Sequence, residues 1–181
     1  MAKEAGTTGG RGGVPWRIIG WGSAALLLLL PWIADAPWTA SDFVFAAIMF
    51  GGVGLLFELT VRMSRNSAYR AGIGFALAAT FVTIWVNAAV GMVGSQDNPL
   101  NIMFAGVIAI AFLGAVLARF RPERMARGMT VAAGAQLLAS AVGAFTDLRG
   151  GILSAMFAGL WLLSAMLLGK AAREQRRREQ P

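Results

Sequence analysis

Glu58 and Arg62 stand four residues apart near the end of one apolar stretch, and the amides Asn87 and Gln136 are each embedded in another. These are the side chains whose type and placement could do chemistry. A carboxylate in hydrocarbon is costly and commonly marks a proton or cation site. Glu58, however, lies only one turn from the end of its stretch, and Arg62 follows on the same helical face. The pair reads as a structural ion pair that also relieves an acid placed near a helix C-terminus. Asn87 shares its face with Thr80, Thr83, Gly91 and Gly94, and Gln136 shares one with Ser140, Gly143 and Asp147. Faces of small and hydroxyl residues let helices approach closely in lipid. A helix-packing seam is therefore expected for both, with a solute path lined by Asn87, Gln136 and Glu58 as the alternative. The two amides sit about 10 Å apart in depth at 1.5 Å per residue, which argues against a single polar ring.

The chain contains neither Cys nor His. That removes thiolate and imidazole metal sites, His-ligated haem, disulfides and Ser–His or Cys–His nucleophile pairs. No cofactor is expected, and convergent acid–base groups of the kind an enzyme needs are lacking. A non-enzymatic role follows.

The elements that must position these residues are apolar. The 181 residues are 57% hydrophobic and only 14% charged, against about a quarter charged in soluble domains. Six stretches, 16–36, 43–61, 72–94, 100–118, 128–145 and 151–169, approach the roughly 20 residues needed to cross a bilayer. The expected fold is all-α, a polytopic membrane bundle of six transmembrane helices. Residues 1–15 are expected to be a disordered tail, and residues 170–181 a basic tail able to continue the last helix over anionic headgroups.

Charge placement orients the helices. Lys3 and Arg11 precede the first stretch and Arg17 opens it; Arg62, Arg65 and Arg70 follow the second; Arg119, Arg121, Arg124 and Arg127 follow the fourth; Lys170, Arg173, Arg176, Arg177 and Arg178 follow the sixth. The other three loops hold Asp35, Asp42, Asp97 and Asp147, with Arg149 the single basic residue. Basic residues stay on the cytoplasmic side of short loops, so both termini are expected in the cytoplasm. The net charge of +7 is then a topology signal and does not imply nucleic-acid binding. A signal peptide ending at Ala34-Asp35-Ala36 is disfavoured, because Pro37 would follow the cut and the apolar run is long for such a segment.

Met-Phe followed by Gly/Ala-Gly occurs at Met49, Met103 and Met156, at spacings of 54 and 53 residues. Basic residues and Asp recur in the same phase. Three tandem two-helix hairpins are therefore expected, related by an axis along the membrane normal. Mitochondrial carriers share that layout, but their P-x-[DE]-x-x-[KR] signature is absent.

At the turns, Asn98 followed by Pro99 suits the cap and first position of the fourth helix. Ser41-Asp42 and Thr146-Asp147 are cap candidates for the second and sixth. Trp16, Trp32 and Trp38 fall where indoles settle at membrane interfaces.

The run Glu58-Leu59, Ala68-Tyr69-Arg70, Trp85-Val86-Asn87-Ala88-Ala89-Val90-Gly91, Gly94-Ser95-Gln96-Asp97-Asn98-Pro99, Asn101 and Met103-Phe104 resembles a group of small uncharacterised proteobacterial integral membrane proteins. It covers about a quarter of the chain, the Gly-Ser-x-Asp-Asn-Pro turn being most distinctive. The resemblance implies a bacterial inner-membrane location and transfers no catalytic residue. It directs attention to Asn87, Asp97, Asn98 and Pro99. The expected partners are anionic lipid headgroups on the basic side and a second membrane protein.

Overall fold

The computed structural model describes residues 16–180 and is all-helical among them. The elements are α1 (Trp16–Ile33), α2 (Ala40–Met63), α3 (Ser67–Ala89), a 3-10 turn (Pro99–Asn101), α4 (Ile102–Leu117), α5 (Pro122–Ala144), α6 (Leu148–Met156) and α7 (Ala158–Glu179). The 1–15 tail and Pro181 lie outside the described residues. Helix α6 and helix α7 run on from one another, so six rods correspond to the six apolar stretches. Four are long and apolar enough to cross a membrane: α2, α3, Pro99–Leu117 and Leu148–Glu179. The apolar part of α1 is shorter, Arg17–Ile33. Helix α5 carries Glu123, Arg124 and Arg127 in its first turns and is rich in Ala and Gly beyond them.

Several boundaries differ from the hydropathy reading. Helix α3 begins at Ser67 rather than at residue 72, because Asn66 is extended and its side chain accepts the Tyr69 N–H at 2.8 Å. Arg70 therefore lies in the first turn of α3 and not in the loop before it. Its guanidinium turns back to the carbonyls of Ser64 (2.6 Å) and Val61 (2.8 Å), which satisfies orphan acceptors at the end of α2. Nor does α3 reach residue 94. Gly91 and Gly94 have φ of 79° and 69°, a left-handed backbone natural to glycine. Gly91 and Gly94 therefore leave the helical face assigned to them. At the start of α2 it is Asp42, of the Ser41-Asp42 pair, that engages the backbone: its carboxylate receives both the N–H and the hydroxyl of Thr39 at 2.7 Å. The last rod keeps its helix through the basic tail to Glu179.

The chain forms two compact units, Met1–Gly54 and Leu55–Pro181. In the first, the Trp21 ring lies over Gly54, where a Cβ would meet its Cη2 at 2.9 Å. Trp38 makes an edge contact with Phe43, ring centroids 5.3 Å apart.

In the second unit, α7 packs on both α3 and α5, and α5 packs also on α4 and α6. Two stripes explain this arrangement. On α5 the buried residues are Met125, Met129, Ala132, Ala133, Gln136, Ala139, Ser140 and Gly143, and on α7 they are Ala158, Trp161, Ser164, Ala165, Leu168, Ala171 and Ala172. Steps of three and four place each set on one helical face. Trp161, Phe104, Met125, Met129 and Leu168 fill the space between. Two glycine contacts set the closest approaches. A Cβ on Gly114 would stand 3.2 Å from the Cα of Gly128, and a Cβ on Gly72 would stand 2.8 Å from Cγ of Leu168. Beside the latter, the Ser164 hydroxyl donates to the Gly72 carbonyl at 2.7 Å.

Consecutive α3 and α4 touch far less than α3 and α7 do. The three Met-Phe motifs also occupy unlike settings. Met49 lies well inside α2, Met103 in the first turn of α4, and Met156 at the α6–α7 junction.

Candidate functional site

The polar residues singled out by the sequence separate into three places. The first is the loop after α3. Asn101, 5% exposed, is its hub: Oδ1 accepts the N–H groups of Met92 (3.1 Å) and Val93 (3.0 Å), and Nδ2 donates to the Ser95 carbonyl at 2.7 Å. Asn87 supports this hub through two long contacts, Nδ2 to the Asn101 carbonyl and the Met92 N–H to Oδ1, each 3.4 Å. Gln96 Nε2 closes the end of α3, donating to the carbonyls of Ala88 (2.6 Å) and Ala89 (2.7 Å). Asn98 caps the 3-10 turn, accepting from Leu100 N–H at 3.0 Å, with Pro99 at the first position. Asp97 is exposed and has no hydrogen-bond partner among the described residues.

Asp147 ties this loop to the next. Its Oδ1 accepts from Gly150 N–H at 3.0 Å, capping α6, and its Oδ2 accepts from Gly94 N–H at 2.9 Å. These two backbone bonds hold the carboxyl below its ordinary range. A carboxylate with a lowered native pKa adds stability that is complete above its unfolded value, 3.8. That stability is lost as the pH falls through the native value. The wild-type melting temperature is therefore expected to drop below about pH 4 by more than that of Asp147→Asn, measured side by side in detergent from pH 7 to 3.

The second place is the α5–α6–α7 interface. Gln136 Nε2 donates to the Ser154 carbonyl at 2.9 Å, and the Ser154 hydroxyl donates to Ser140 Oγ at 2.8 Å. This is where the last rod breaks. The Phe157 N–H turns to Ser154 O and the Leu160 N–H to Phe157 O, both 3.1 Å and both i to i−3. An amide inserted into a helix ladder is a recognised cause of such a break. Gln136 thus acts on backbone, and so does Asn87.

The third place is Glu58 with Arg62. The guanidinium reaches Oε1 through Nη2 (2.6 Å) and Nε (3.2 Å), with the Arg62 side chain 65% exposed and that of Glu58 14%. An i, i+4 pair with its arginine largely exposed near the helix end is worth about 0.5 kcal/mol. Glu58→Gln is expected to shift the melting temperature by no more than about 2 °C; loss of activity in a fully folded variant would assign Glu58 a chemical role.

No protein-family profile, curated protein or solved structure matches this chain. The assignment of function therefore rests on its own geometry. Asn87 bonds within the loop built around Asn101 and Gln136 bonds to the Ser154 carbonyl, whereas Asn98 and Pro99 belong to the same loop as Asn87. Among the described residues, no three of His, Cys, Asp and Glu are grouped to hold a metal ion. Sequence reasoning passed over Asn101 as a site residue. Its signal was present: it is the one amide at the mouth of a helix, Ile102–Leu117, that contains no polar side chain.

Proposed function

We propose that this chain is a multi-pass protein of a bacterial inner membrane, with six crossings and both termini in the cytoplasm. Its role in this reading is structural or accessory, without enzymatic activity. The observation that carries the reading is what the interior polar groups do. Asn101, Asn87, Gln136 and Ser164 all bond to backbone within the second unit, so they hold helices and loops in place. The proposed orientation draws support from the meeting of turns. The acidic turns join through Gly94 and Asp147. The arginine-rich ones join through the Tyr69 hydroxyl, which donates to Phe120 O at 3.1 Å. With the basic turns on one side, the positive-inside bias assigns that side to the cytoplasm.

A second reading, passage of a small solute, is favoured by one observation: Thr83 Oγ1, Gln136 Oε1 and Trp161 Nε1 are buried without a hydrogen-bond partner. Flux measurements separate the two. Vesicles carrying the purified protein should be no more permeable to monovalent ions and small neutral solutes than protein-free vesicles. Mild-detergent extracts should yield a stoichiometric complex with another membrane protein. Permeation above the control that disappears in Gln136→Leu would replace the structural role by transport.

A further inference from the structure

At the arginine-rich end of the second unit, the turn between α2 and α3, the turn between α4 and α5, and the last turns of α7 enclose an open cleft of about 530 Å³. Arg65 enters it from the first wall, Arg119 and Arg121 from the second, and Arg178 from the third. No carboxylate lines it. We propose that this cleft binds a phosphate-bearing anion, and that its occupant is the headgroup of an anionic membrane phospholipid.

The charge pattern comes first. Among the described residues, none of the four arginines forms an ion pair, although acids stand nearby. Of these, Glu123 is engaged with Arg127 and Arg176, and Glu174 with Lys170 and with the Asn66 amide. Four like charges brought to one cleft from three separate segments repel each other unless an anion joins them. Guanidinium forks match phosphate oxygens in pairs.

Helix α3 and helix α5 both begin at the wall of the cleft, where Asn66, Arg121 and Pro122 lie. Because α2 and α4 end at the same two turns, the helix dipoles offset one another there and the arginines carry the field. Arg121 is the N-cap of α5 and supplies no side-chain acceptor to its first turn.

The cleft is also built rather than loose. Arg119 and Phe120 both have left-handed backbone, φ 49° and 58°, unusual for residues with a Cβ. Hydrogen bonds hold that corner: Arg119 N–H to Val116 O at 2.9 Å, Phe120 N–H to Ala115 O at 3.3 Å, and the Tyr69 hydroxyl to Phe120 O. The corner turns the Arg119 side chain to the cleft.

A lipid fits better than free phosphate because apolar surface adjoins the charges. Met63 and Phe120 line the same cleft and are 72% and 51% exposed, and Leu117, just before the corner, is 76% exposed. Guanidinium groups for a headgroup beside apolar surface for acyl chains is the pattern of a basic pocket at a membrane interface. This assignment rests on the membrane reading above, in which the arginine-rich end meets the cytoplasmic leaflet.

The test uses the full chain in a mild nonionic detergent, titrated with dioleoylphosphatidylglycerol, dioleoylphosphatidylcholine or inorganic phosphate. Bound lipid is read by native mass spectrometry and stabilisation by thermal shift. Phosphatidylglycerol is expected to bind at least ten times more tightly than phosphatidylcholine. The double variant R119Q/R121Q should lose that preference, while R173Q/R177Q, which removes equal charge outside the cleft, should stay within twofold of wild type. If R119Q/R121Q fails to fold, R65Q/R178Q carries the same expectation from the other two walls. Equal losses in the cleft and control variants would reduce the effect to surface charge and overturn the proposal. A response to inorganic phosphate but not to phosphatidylglycerol would overturn the lipid assignment and leave an anion site for a soluble ligand. Because binding is read in detergent, its failure is distinguishable from a failure of the topology, which is read in cells.

Discussion

Replacing Gly72 by valine is expected to destabilise the protein by about 3 kcal/mol, the upper part of the range for overpacking a closed interface. The reason is geometric. At Gly72 helix α3 passes so close to α7 that even a single Cβ would stand 2.8 Å from Leu168 Cγ and 3.2 Å from the Leu168 backbone nitrogen. Leu168 is fully buried in the core and has nowhere to retreat. Separating the helices would also break the bond from the Ser164 hydroxyl to the Gly72 carbonyl, 2.7 Å long. Gly134 supplies the internal comparison: a Cβ there meets nothing within 4 Å, so Gly134→Ala should be neutral or slightly stabilising. Thermal unfolding in one detergent measures both. Similar melting temperatures for Gly72→Val and wild type would mean that the α3–α7 contact is not close.

Asn101→Leu is the second large effect. The substitution keeps the volume but leaves the Val93 N–H without its acceptor and the Met92 N–H with only its 3.4 Å contact to Asn87 Oδ1, both in buried residues. It also removes the donor to Ser95 O. At about 1–3 kcal/mol for each stranded buried group, the loss should be about 3 kcal/mol. Asn87→Ala should cost less than about 1 kcal/mol, since its two contacts are 3.4 Å long and interhelical bonds in membranes average about 0.6 kcal/mol. Hydrogen exchange should show the contrast locally, with the Met92 and Val93 amides exposed in Asn101→Leu and still protected in Asn87→Ala. Equal protection in all three proteins would contradict the hub.

Four of the apolar stretches were legible because α2, α3, Pro99–Leu117 and Leu148–Glu179 are long runs of residues that favour hydrocarbon. Their ends were not, for reasons particular to each. Arg70 looked like the end of a loop because hydropathy registers its charge and not the two carbonyls that its guanidinium covers. Met92 and Val93 looked helical because they are apolar, yet they are loop residues buried by the fold. Gly91 and Gly94 were counted as packing glycines when their role is to permit a left-handed turn. The break at Phe157 has no local signal, since it depends on the amide of Gln136 on α5, 18 residues before the Ser154 carbonyl it engages. Of the site residues, the Asn98-Pro99 cap and the Glu58–Arg62 pair follow from spacing alone. The hub at Asn101 and the meeting of Arg65, Arg119, Arg121 and Arg178 depend on segments far apart in the chain. Arginines read as a topology signal gave no hint that they would share a cleft.

The most direct measurement of the membrane reading uses the absence of cysteine from this sequence. Ser67 and Ser95 are both exposed, one at the first position of α3 and the other beyond its far end. The 23 residues of α3 span about 34 Å, enough to cross a ~30 Å hydrocarbon core. Single variants Ser67→Cys and Ser95→Cys, expressed in bacterial cells whose outer membrane has been opened, are treated with a membrane-impermeant maleimide. Ser95→Cys should label at once, and Ser67→Cys only after the inner membrane is disrupted. Labelling of both before disruption, or of Ser67→Cys alone, would contradict a crossing of α3 with its arginine-rich end in the cytoplasm.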